Sequence, residues 1–212
     1  MQIFIPAILL IAAYLLGSFS SAVWFGKWFR GIDLREHGSG NAGATNAFRV
    51  LGAKIAIPVF VTDIAKAFAA VMLSSLANYG DTGFETDLLK IGLGIAAVTG
   101  HIFPIFSGFK GGKGVASMLG VILAINPVVA CCSLGVFVLF FLIFRIVSVG
   151  SIMAAISFPI FTLFIFSDNS ELMGWFSVVA AFLIIALHYK NIRRLIRGNE
   201  KQISFKKKPD KN

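Results

Sequence analysis

The sequence predicts an all-α protein, a polytopic membrane bundle of about seven transmembrane helices. Apolar residues make up 57% of the 212-residue chain, which is more than a soluble domain of this length can bury. Several windows reach the roughly 20 apolar residues that one crossing of a bilayer requires. The N-terminal apolar run has no preceding basic residue and no small-residue cleavage site, so we expect a retained first span and not a removed signal peptide.

Apolar windows separated by polar or glycine-rich joints define the predicted spans. They lie near 3–24, 54–77, 88–106, 114–128, 129–145, 149–166 and 172–188. The joint at Asn126-Pro127 also fits a proline kink within one long helix. A helix over 114–145 would extend for about 48 Å, however, which is too long for a single crossing. We therefore predict a tight turn at that joint.

Basic residues are concentrated on one side of these spans. With the N-terminus outside, the cytoplasmic side holds nine cations between Lys190 and Lys211 and eight others, together 17 of the 19 in the chain. The eight are Lys27, Arg30, Arg35, Arg49, Lys54, Lys110, Lys113 and Arg145. The predicted outer loops, near 78–87 and 167–171, contain acidic residues and no cation. Because short cytoplasmic loops carry the excess of Lys and Arg, this pattern predicts a cytoplasmic C-terminus.

The chain divides into one predicted transmembrane domain, residues 1–198, and a basic cytoplasmic tail, residues 199–212. We expect the tail to act in membrane orientation and in attraction to anionic lipid, and not in catalysis. The basic residues flank spans and lack an interleaved aromatic platform, so nucleic acid is not an expected partner. Cys131 and Cys132 are adjacent in an apolar run and belong to no metal-ligand pattern, so no metal site is expected.

The first polar joint, from Gly31 to Gly52, differs from an ordinary connecting loop. Its five glycines allow backbone N–H groups to approach a ligand closely. The side chains that add hydrogen-bond donors are Ser39, Asn41, Asn46 and Arg49. This combination suits an oxyanion, and the alternative is a flexible Gly/Ser/Asn connector.

The second joint contains the stretch GFKGGKGVA, from Gly108 to Ala116. Glycines 111, 112 and 114 allow a sharp turn before a new helix, whose free N–H groups would face the joint beside Lys110 and Lys113. Such a joint is suited to bind phosphate. It is not a Walker A loop, because the GxxxxGK[ST] order is absent. The alternative is a glycine turn with two membrane-edge lysines.

The third joint follows the last span and reads HYKNIRRLIRG. His188 and Asn191 are three residues apart, so on a helix they share one face at the membrane surface. Each residue alone also fits a capping or snorkelling role.

Asp63 and Lys66 are three residues apart inside the second predicted span. Charges at that depth are unfavourable unless they are paired. We expect a structural ion pair or support for a loop and not direct chemistry.

Three segments in order resemble those of a known family: GSGNAGATN with the following Arg49, HIFPIFSGFKGGKGVAS, and HYKNIRRLIRGNEK. They are similar to the signature segments of the bacterial acyl-phosphate:glycerol-3-phosphate acyltransferases, and the likeness covers nearly the whole chain. Ser117 stands where that family often has threonine, and Ala67 replaces a frequent glycine.

The resemblance implies a seven-helix enzyme of the bacterial cytoplasmic (inner) membrane, with its active site facing the cytoplasm. Such an enzyme transfers a fatty acyl group from acyl phosphate to the 1-hydroxyl of glycerol 3-phosphate and forms lysophosphatidic acid for phospholipid synthesis. It also implies a functional link to the enzyme that makes acyl phosphate, and no cofactor. By position, Ser39, Arg49 and Lys113, with Lys110 nearby, would hold substrate phosphate. His188 and Asn191 would lie beside the reacting groups as catalytic residues.

The chain shows no arrangement typical of a protein nucleophile and its base. We find no convincing Ser-His-Asp or Cys-His set, and no aspartate five residues after a histidine. We therefore expect direct transfer, in which the phosphate leaving group takes the hydroxyl proton.

Two other classes of protein remain open at this stage. An organophosphate carrier also uses basic loops, although the polar groups here gather on one face and no inverted repeat is evident. A metal-dependent lipid phosphatase or transferase would need clustered carboxylates near the inner half, where only Asp33, Glu36 and Asp63 lie.

Overall fold

Ten α-helices make up most of the computed structural model, which describes residues 4–77, 79–80, 83–166 and 170–203. They are α1 (Phe4–Gly17), α2 (Ser21–Arg30), α3 (Ala44–Leu51), α4 (Ala53–Met72), α5 (Phe84–Ile102), α6 (Val115–Ile125), α7 (Pro127–Phe144), α8 (Val147–Ile160), α9 (Glu171–Leu187) and α10 (Tyr189–Ile196). Short 3₁₀ turns occupy Leu34–Glu36, Leu73–Ala77 and Ile105–Ser107, and a π-helical turn over Phe161–Ile165 extends α8. No strand occurs in the described ranges, so the predicted all-α class is confirmed.

The helices coincide with the predicted apolar windows, except that the first window is divided between α1 and α2 and that α6 is short. Among the described residues, five helical stretches are long and apolar enough to cross a membrane: 4–30, 53–77, 84–107, 127–144 and 147–165. α9 with α10, bent by 59°, makes a sixth if the pair counts as one span. α6 has 11 residues and is shorter than a crossing requires. The integral membrane bundle is therefore supported, whereas seven crossings and their orientation stay predictions.

The first predicted span, 3–24, is divided in the structure. α1 ends at Gly17, and α2 starts at Ser21 after a short break. Within the break the Ser18 hydroxyl donates to the Tyr14 carbonyl at 2.8 Å, a back-bond that competes with regular helix geometry. The Phe19 carbonyl accepts a hydrogen bond from a distant lysine, Lys66.

The Asn126-Pro127 joint separates two helices, as predicted. Asn126 is extended (φ −143°, ψ 92°), and its side chain caps α7 by accepting from the Val129 N–H at 3.1 Å. Pro127 then occupies the first helical position, where its missing N–H leaves no intrahelical bond unmade.

Small residues allow the central helices to pack closely. A Cβ on Gly17 would lie 2.0 Å from the Ala97 carbonyl oxygen, and one on Gly100 would lie 2.2 Å from that of Tyr14, so α1 and α5 nearly touch along their backbones. Gly120 of α6 makes the same kind of contact with α4. α4 and α5 thereby become a fixed frame for the loops at one end of the bundle.

The three polar joints lie together at that end, where α2, α5, α7 and α9 finish and α4, α6 and α8 begin. The acidic residues Glu85, Asp87 and Glu171 lie in the first turns of helices at the opposite end. Asp81, Asp168 and the tail from residue 204 onward lie outside the described residues.

Candidate active site

A polar cavity of about 300 Å³ opens at the end of the bundle where the three joints meet. Its lining includes eight of the residues that the sequence predicted: Ser39, Asn41, Asn46, Arg49, Lys113, Gly114, His188 and Asn191. The cations of the lining are Arg49, Lys113, Lys190 and Arg194, and the carboxylates are Asp63 and Glu200. The cavity thus brings residues from all three predicted segments to one side of the bundle.

Asn46 holds the first polar loop in shape. Its side chain is 1% exposed, and its Oδ1 accepts from the Ser39 N–H at 2.9 Å. Its Nδ2 donates to the carbonyls of Leu34 and His37 at 3.1 and 3.0 Å. The amide therefore makes three hydrogen bonds to its own loop. These bonds fix Ser39 and Asn41 at the cavity edge.

Asp33 and Arg35 attach this loop to the next one. Arg35 Nη2 lies 2.7 Å from Asp33 Oδ2, and Arg35 Nη1 donates to the Ser107 carbonyl in the segment after α5. The hydrogen bond from Arg35 lowers the pKa of Asp33 to about 2. Arg35 therefore connects the first polar joint to the segment that precedes the second one, at a point outside the cavity.

Arg49, in the last turn of α3, lines the cavity and has one buried donor that no described residue accepts. Its Nη2 donates to the Lys201 carbonyl at 3.3 Å, whereas its buried Nε has no hydrogen-bond partner among the described residues. A buried guanidinium N–H without a partner is costly, and an oxyanion would satisfy it.

The glycine-rich loop turns back onto the end of α5 before α6 begins. The N–H groups of Gly111 and Gly112 donate to the carbonyls of Ile102 and His101, each at 3.1 Å. Gly114 then adopts a left-handed conformation (φ +78°) that other residues rarely tolerate, and α6 starts at Val115 without a side-chain cap. The free N–H groups of that first turn lie at the cavity wall, together with those of α3.

Lys113 reaches across the cavity to the third segment. Its Nζ donates to Asn191 Oδ1 and is partly buried. Burial lowers the pKa of Lys113 to about 8; nearby Arg194 and Arg49 act in the same direction, while Glu200 opposes them. An ammonium group in this state is a strong donor at neutral pH and becomes neutral in mildly alkaline solution.

His188 lies at the bend between α9 and α10 and is 4% exposed. Its Nδ1 is 2.7 Å from the Ile184 carbonyl oxygen. Because a carbonyl only accepts, Nδ1 carries the proton in this contact, and in the neutral ring Nε2 is left as an acceptor. Asn191 follows one turn later on α10, as the spacing of the two residues predicted.

Glu200 is a site residue that the sequence reasoning missed. Gly198 (φ +67°) reverses the chain after α10, and Glu200 then accepts from Asn191 and Arg194 at 2.5 Å each and from Ser148 at 3.0 Å. Burial alone would raise the pKa of Glu200, but these hydrogen bonds outweigh it and lower the pKa below its usual value. Glu200 lies within HYKNIRRLIRGNEK, the third segment that resembles the family, so this segment is the signal that could have identified it.

Residues 199–203 form a strap beside the cavity. The Ile203 N–H donates to the Arg145 carbonyl at 2.8 Å, and the Ile203 side chain is 6% exposed. The boundary that we predicted at residue 198 therefore precedes five residues that the structure places against the site, and the boundary itself stays a prediction.

Lys110, Gly111 and Gly112 do not line the polar cavity. Gly108 and Phe109 both have positive φ values, +63° and +60°, and the turn directs Lys110 into a separate surface depression with Arg35 and Glu36. The structure thus places Lys113 in the polar cavity and Lys110 outside it, a difference that the sequence did not predict.

An apolar cavity adjoins the polar one. The two share Phe60, Val115, Phe137 and Ser151 in their linings. From there the apolar cavity continues between α6, α7, α8 and α9 to Phe158 and Ala181. The two cavities thus place a polar compartment next to an apolar one, which suits a molecule with a charged head and an apolar chain.

Within the described part of the chain, no group of three or more His, Cys, Asp or Glu side chains has the arrangement of a metal site.

The chain is similar to known proteins over almost its entire length. The family model described as glycerol-3-phosphate acyltransferase matches residues 7–198. The glycerol-3-phosphate acyltransferase of Chlorobaculum tepidum is 41% identical, and the match covers 94% of this chain and 97% of that protein. The one from Fusobacterium nucleatum is 40% identical, with 92% and 97% covered.

Two solved structures have the same fold. Both are crystal structures of PlsY, an integral membrane glycerol 3-phosphate acyltransferase. The glycerol 3-phosphate form is 40% identical with a TM-score of 0.83, and the match covers 94% of this chain and 96% of that one. The lysophosphatidic acid form is 39% identical with a TM-score of 0.81, and 94% and 95% are covered.

Proposed function

This chain belongs to the glycerol-3-phosphate acyltransferase family, and we propose that it transfers a fatty acyl group from acyl phosphate to the 1-hydroxyl of sn-glycerol 3-phosphate. The products are lysophosphatidic acid and phosphate. The membrane location and the acyltransferase class follow from the family, and the donor and the mechanism are the proposal. The glycerol 3-phosphate and lysophosphatidic acid forms of the solved relatives support this acceptor and this product.

One observation carries the proposal: residues of the first, second and third polar joints line the same cavity. Both proposed substrates carry phosphate, so their site must neutralise several negative charges. Arg49 has a buried N–H that no described residue accepts, Lys113 supplies an ammonium group, and the first turns of α3 and α6 supply backbone N–H groups. We assign the phosphate contacts to these groups, with Ser39 and Asn41 at the edge of the cavity and Asn46 behind them.

The adjoining apolar cavity supports an acyl donor. Its lining between α6 and α9 is composed almost entirely of aliphatic and aromatic residues. An acyl chain placed there would bring its carbonyl carbon to the shared boundary at Phe137 and Ser151, next to the phosphate groups. The arrangement explains how a fatty donor and a water-soluble alcohol meet at the edge of the membrane.

We propose that the chemical step is direct. The glycerol hydroxyl oxygen attacks the carbonyl carbon of acyl phosphate, and the bond from that carbon to the phosphate oxygen breaks. The electron pair leaves with phosphate, and a phosphate oxygen takes the hydroxyl proton. The protein mainly positions the two substrates and stabilises the developing charge.

His188 and Asn191 assist this step without forming a covalent bond. With Nδ1 protonated and donating to the Ile184 carbonyl, His188 Nε2 is an acceptor and can orient the attacking hydroxyl. Asn191 is held between Lys113 and Glu200, so its amide orientation is fixed. Two serines of the lining have other partners: Ser148 donates to Glu200 and Ser151 to the Val147 carbonyl, and neither is paired with a histidine.

The concentration of basic residues at the cavity end supports a cytoplasmic orientation of the site in a bacterial inner membrane. Acyl phosphate is made by another enzyme, so that enzyme is a functional partner in the proposal.

The decisive experiment compares acyl donors with purified protein in detergent. We expect lysophosphatidic acid from acyl phosphate and glycerol 3-phosphate, and none when acyl-CoA or acyl carrier protein is the donor. Activity only with a thioester would refute the donor assignment. Because detergent solution has no compartments, a carrier would form no product in this assay.

A further inference from the structure

A second polar cluster lies beside the active-site cavity, and the proposed mechanism leaves it without a role. It consists of Asp63 and Lys66 of α4, His101 near the end of α5, and Ser21 with the Phe19 carbonyl at the break between α1 and α2. Asp63, Lys66 and His101 are 1%, 7% and 6% exposed, so three ionisable side chains are buried together. Asp63 and His101 also line the polar cavity.

Lys66 is the centre of this cluster. Its Nζ lies 2.7 Å from the Phe19 carbonyl oxygen, 2.8 Å from Asp63 Oδ1 and 3.1 Å from His101 Nδ1. An ammonium group has three N–H donors, so each donor has one partner when His101 Nδ1 is unprotonated; a protonated Nδ1 faces Asp63 Oδ1 at 3.5 Å instead. Asp63 Oδ1 also accepts from the Ser21 hydroxyl at 2.8 Å. The cluster therefore connects the α1–α2 break, the middle of α4 and the end of α5.

His101 transmits this connection to the glycine-rich loop. Its carbonyl accepts the Gly112 N–H at 3.1 Å. Its ring also lies against Gly112, because a Cβ on that glycine would be 2.2 Å from His101 Nε2 and 3.0 Å from the Ala42 carbonyl oxygen of the first polar loop. Gly112 is thus held between the imidazole and the first loop, and Lys113 is the next residue. A displacement of His101 would therefore shift Gly112 and, with it, the backbone of Lys113.

From these contacts we infer that Asp63, Lys66 and His101 are positioning residues for Lys113 in acyl transfer. The cluster fixes the end of α5, and through Gly112 it holds the Lys113 ammonium group against Asn191 and above the phosphate site. This inference rests on the proposed function, because its effect is measured as acyl transfer. A buried ion pair contributes little net stability compared with apolar packing, but its directional bonds specify one arrangement of the segments that it joins.

The first test is the double variant Asp63→Asn/Lys66→Met. It removes both charges at once, keeps an acceptor for Ser21, and fills most of the lysine volume, so no unpaired charge remains buried. We expect a thermal midpoint near that of the wild type and a decrease in kcat of about tenfold or more. KM for glycerol 3-phosphate should change less than kcat, because Arg49 and Ser39, which also contact phosphate, lie on the other loop. If the double variant has both the thermal midpoint and the kcat of the wild type, the inference is overturned.

A pair of variants at His101 tests the hydrogen bond itself. His101→Asn keeps an acceptor for Lys66, whereas His101→Phe keeps the ring and loses the acceptor. We expect His101→Asn to retain more kcat than His101→Phe when both are compared per folded molecule. Equal kcat values would overturn the inference, and this comparison remains decisive if the double variant does not fold.

Thr86→Val is the matched control. Thr86 is a buried hydroxyl at the opposite end of α5, where it donates to the Gly80 carbonyl at 3.3 Å. Its loss should lower the thermal midpoint without lowering kcat per folded molecule. A parallel fall of kcat in this control would mean that destabilised α5 alone explains the effect, which would also overturn the inference. Failure of the wild type to use acyl phosphate would instead refute the proposed function.

Discussion

The pH dependence of acyl transfer provides a direct test of Lys113. The pKa of its ammonium group is lowered from 10.5 to about 8, mainly by burial. Lysine is charged below its pKa, so the phosphate-binding form predominates at pH 7 and is lost as the pH rises through 8. We expect kcat/KM of the wild type to fall about tenfold for each pH unit above that value. Initial rates of lysophosphatidic acid formation between pH 6 and 10 measure this, after subtraction of the hydrolysis of acyl phosphate without enzyme.

Lys113→Arg is the control for this assignment. Guanidinium stays charged across the whole range, so the alkaline decline should disappear in the variant even if its absolute rate is lower. Lys113→Ala should lose roughly 10²–10³-fold in kcat/KM at pH 7, as expected when one charged donor to a developing oxyanion is removed. A decline with the same midpoint in Lys113→Arg, or a flat wild-type profile up to pH 9.5, would contradict the role that we assign to Lys113.

Four further predictions concern the loops and the absence of an acyl-enzyme. Asn191→Ala should lose most acyl transfer while it keeps the wild-type thermal midpoint. Lys110→Ala should keep more than about half of the rate, because Lys110 faces a different depression; a loss as large as that of Lys113→Ala would place both lysines at the phosphate. Gly112→Ala should abolish transfer, since its Cβ would lie 2.2 Å from the imidazole beneath it. Gly135→Ala, which meets nothing within 4 Å, should be as active as the wild type in the same assay. No labelled acyl group should remain on the protein after quenching with acid, and mass spectrometry that finds one on a serine or cysteine would overturn direct transfer.

The sequence predicted the positions of the helices because apolar windows reflect the membrane itself. It did not predict the break between α1 and α2, because that break depends on a tertiary contact: the Phe19 carbonyl bonds to Lys66 of another helix. It also gave α6 too much length, because the glycine-rich loop and the Asn126 cap leave only 11 residues between them.

The site could be predicted as a set of segments but not as a set of contacts. Ser39, Arg49, Lys113 and Asn191 converge on one cavity, which three polar joints on one side of a bundle favour. Lys110 and Lys113 look alike in the sequence, and the positive φ at Phe109 that turns them apart is a property of the folded loop. Asn46 illustrates the same limit, because spacing does not reveal that its amide bonds to its own loop.

The strap of residues 199–203 bears on how this protein should be shortened or tagged. Its backbone bonds to Arg49 and to the Arg145 carbonyl, and its carboxylate orients the amide of Asn191. A purification tag or fluorescent fusion joined directly after Gly198 would remove a wall of the reaction chamber, although every helix would remain. A chain shortened before Ile203 would lose contacts that residues 200–203 make with Arg49, Arg145 and Asn191.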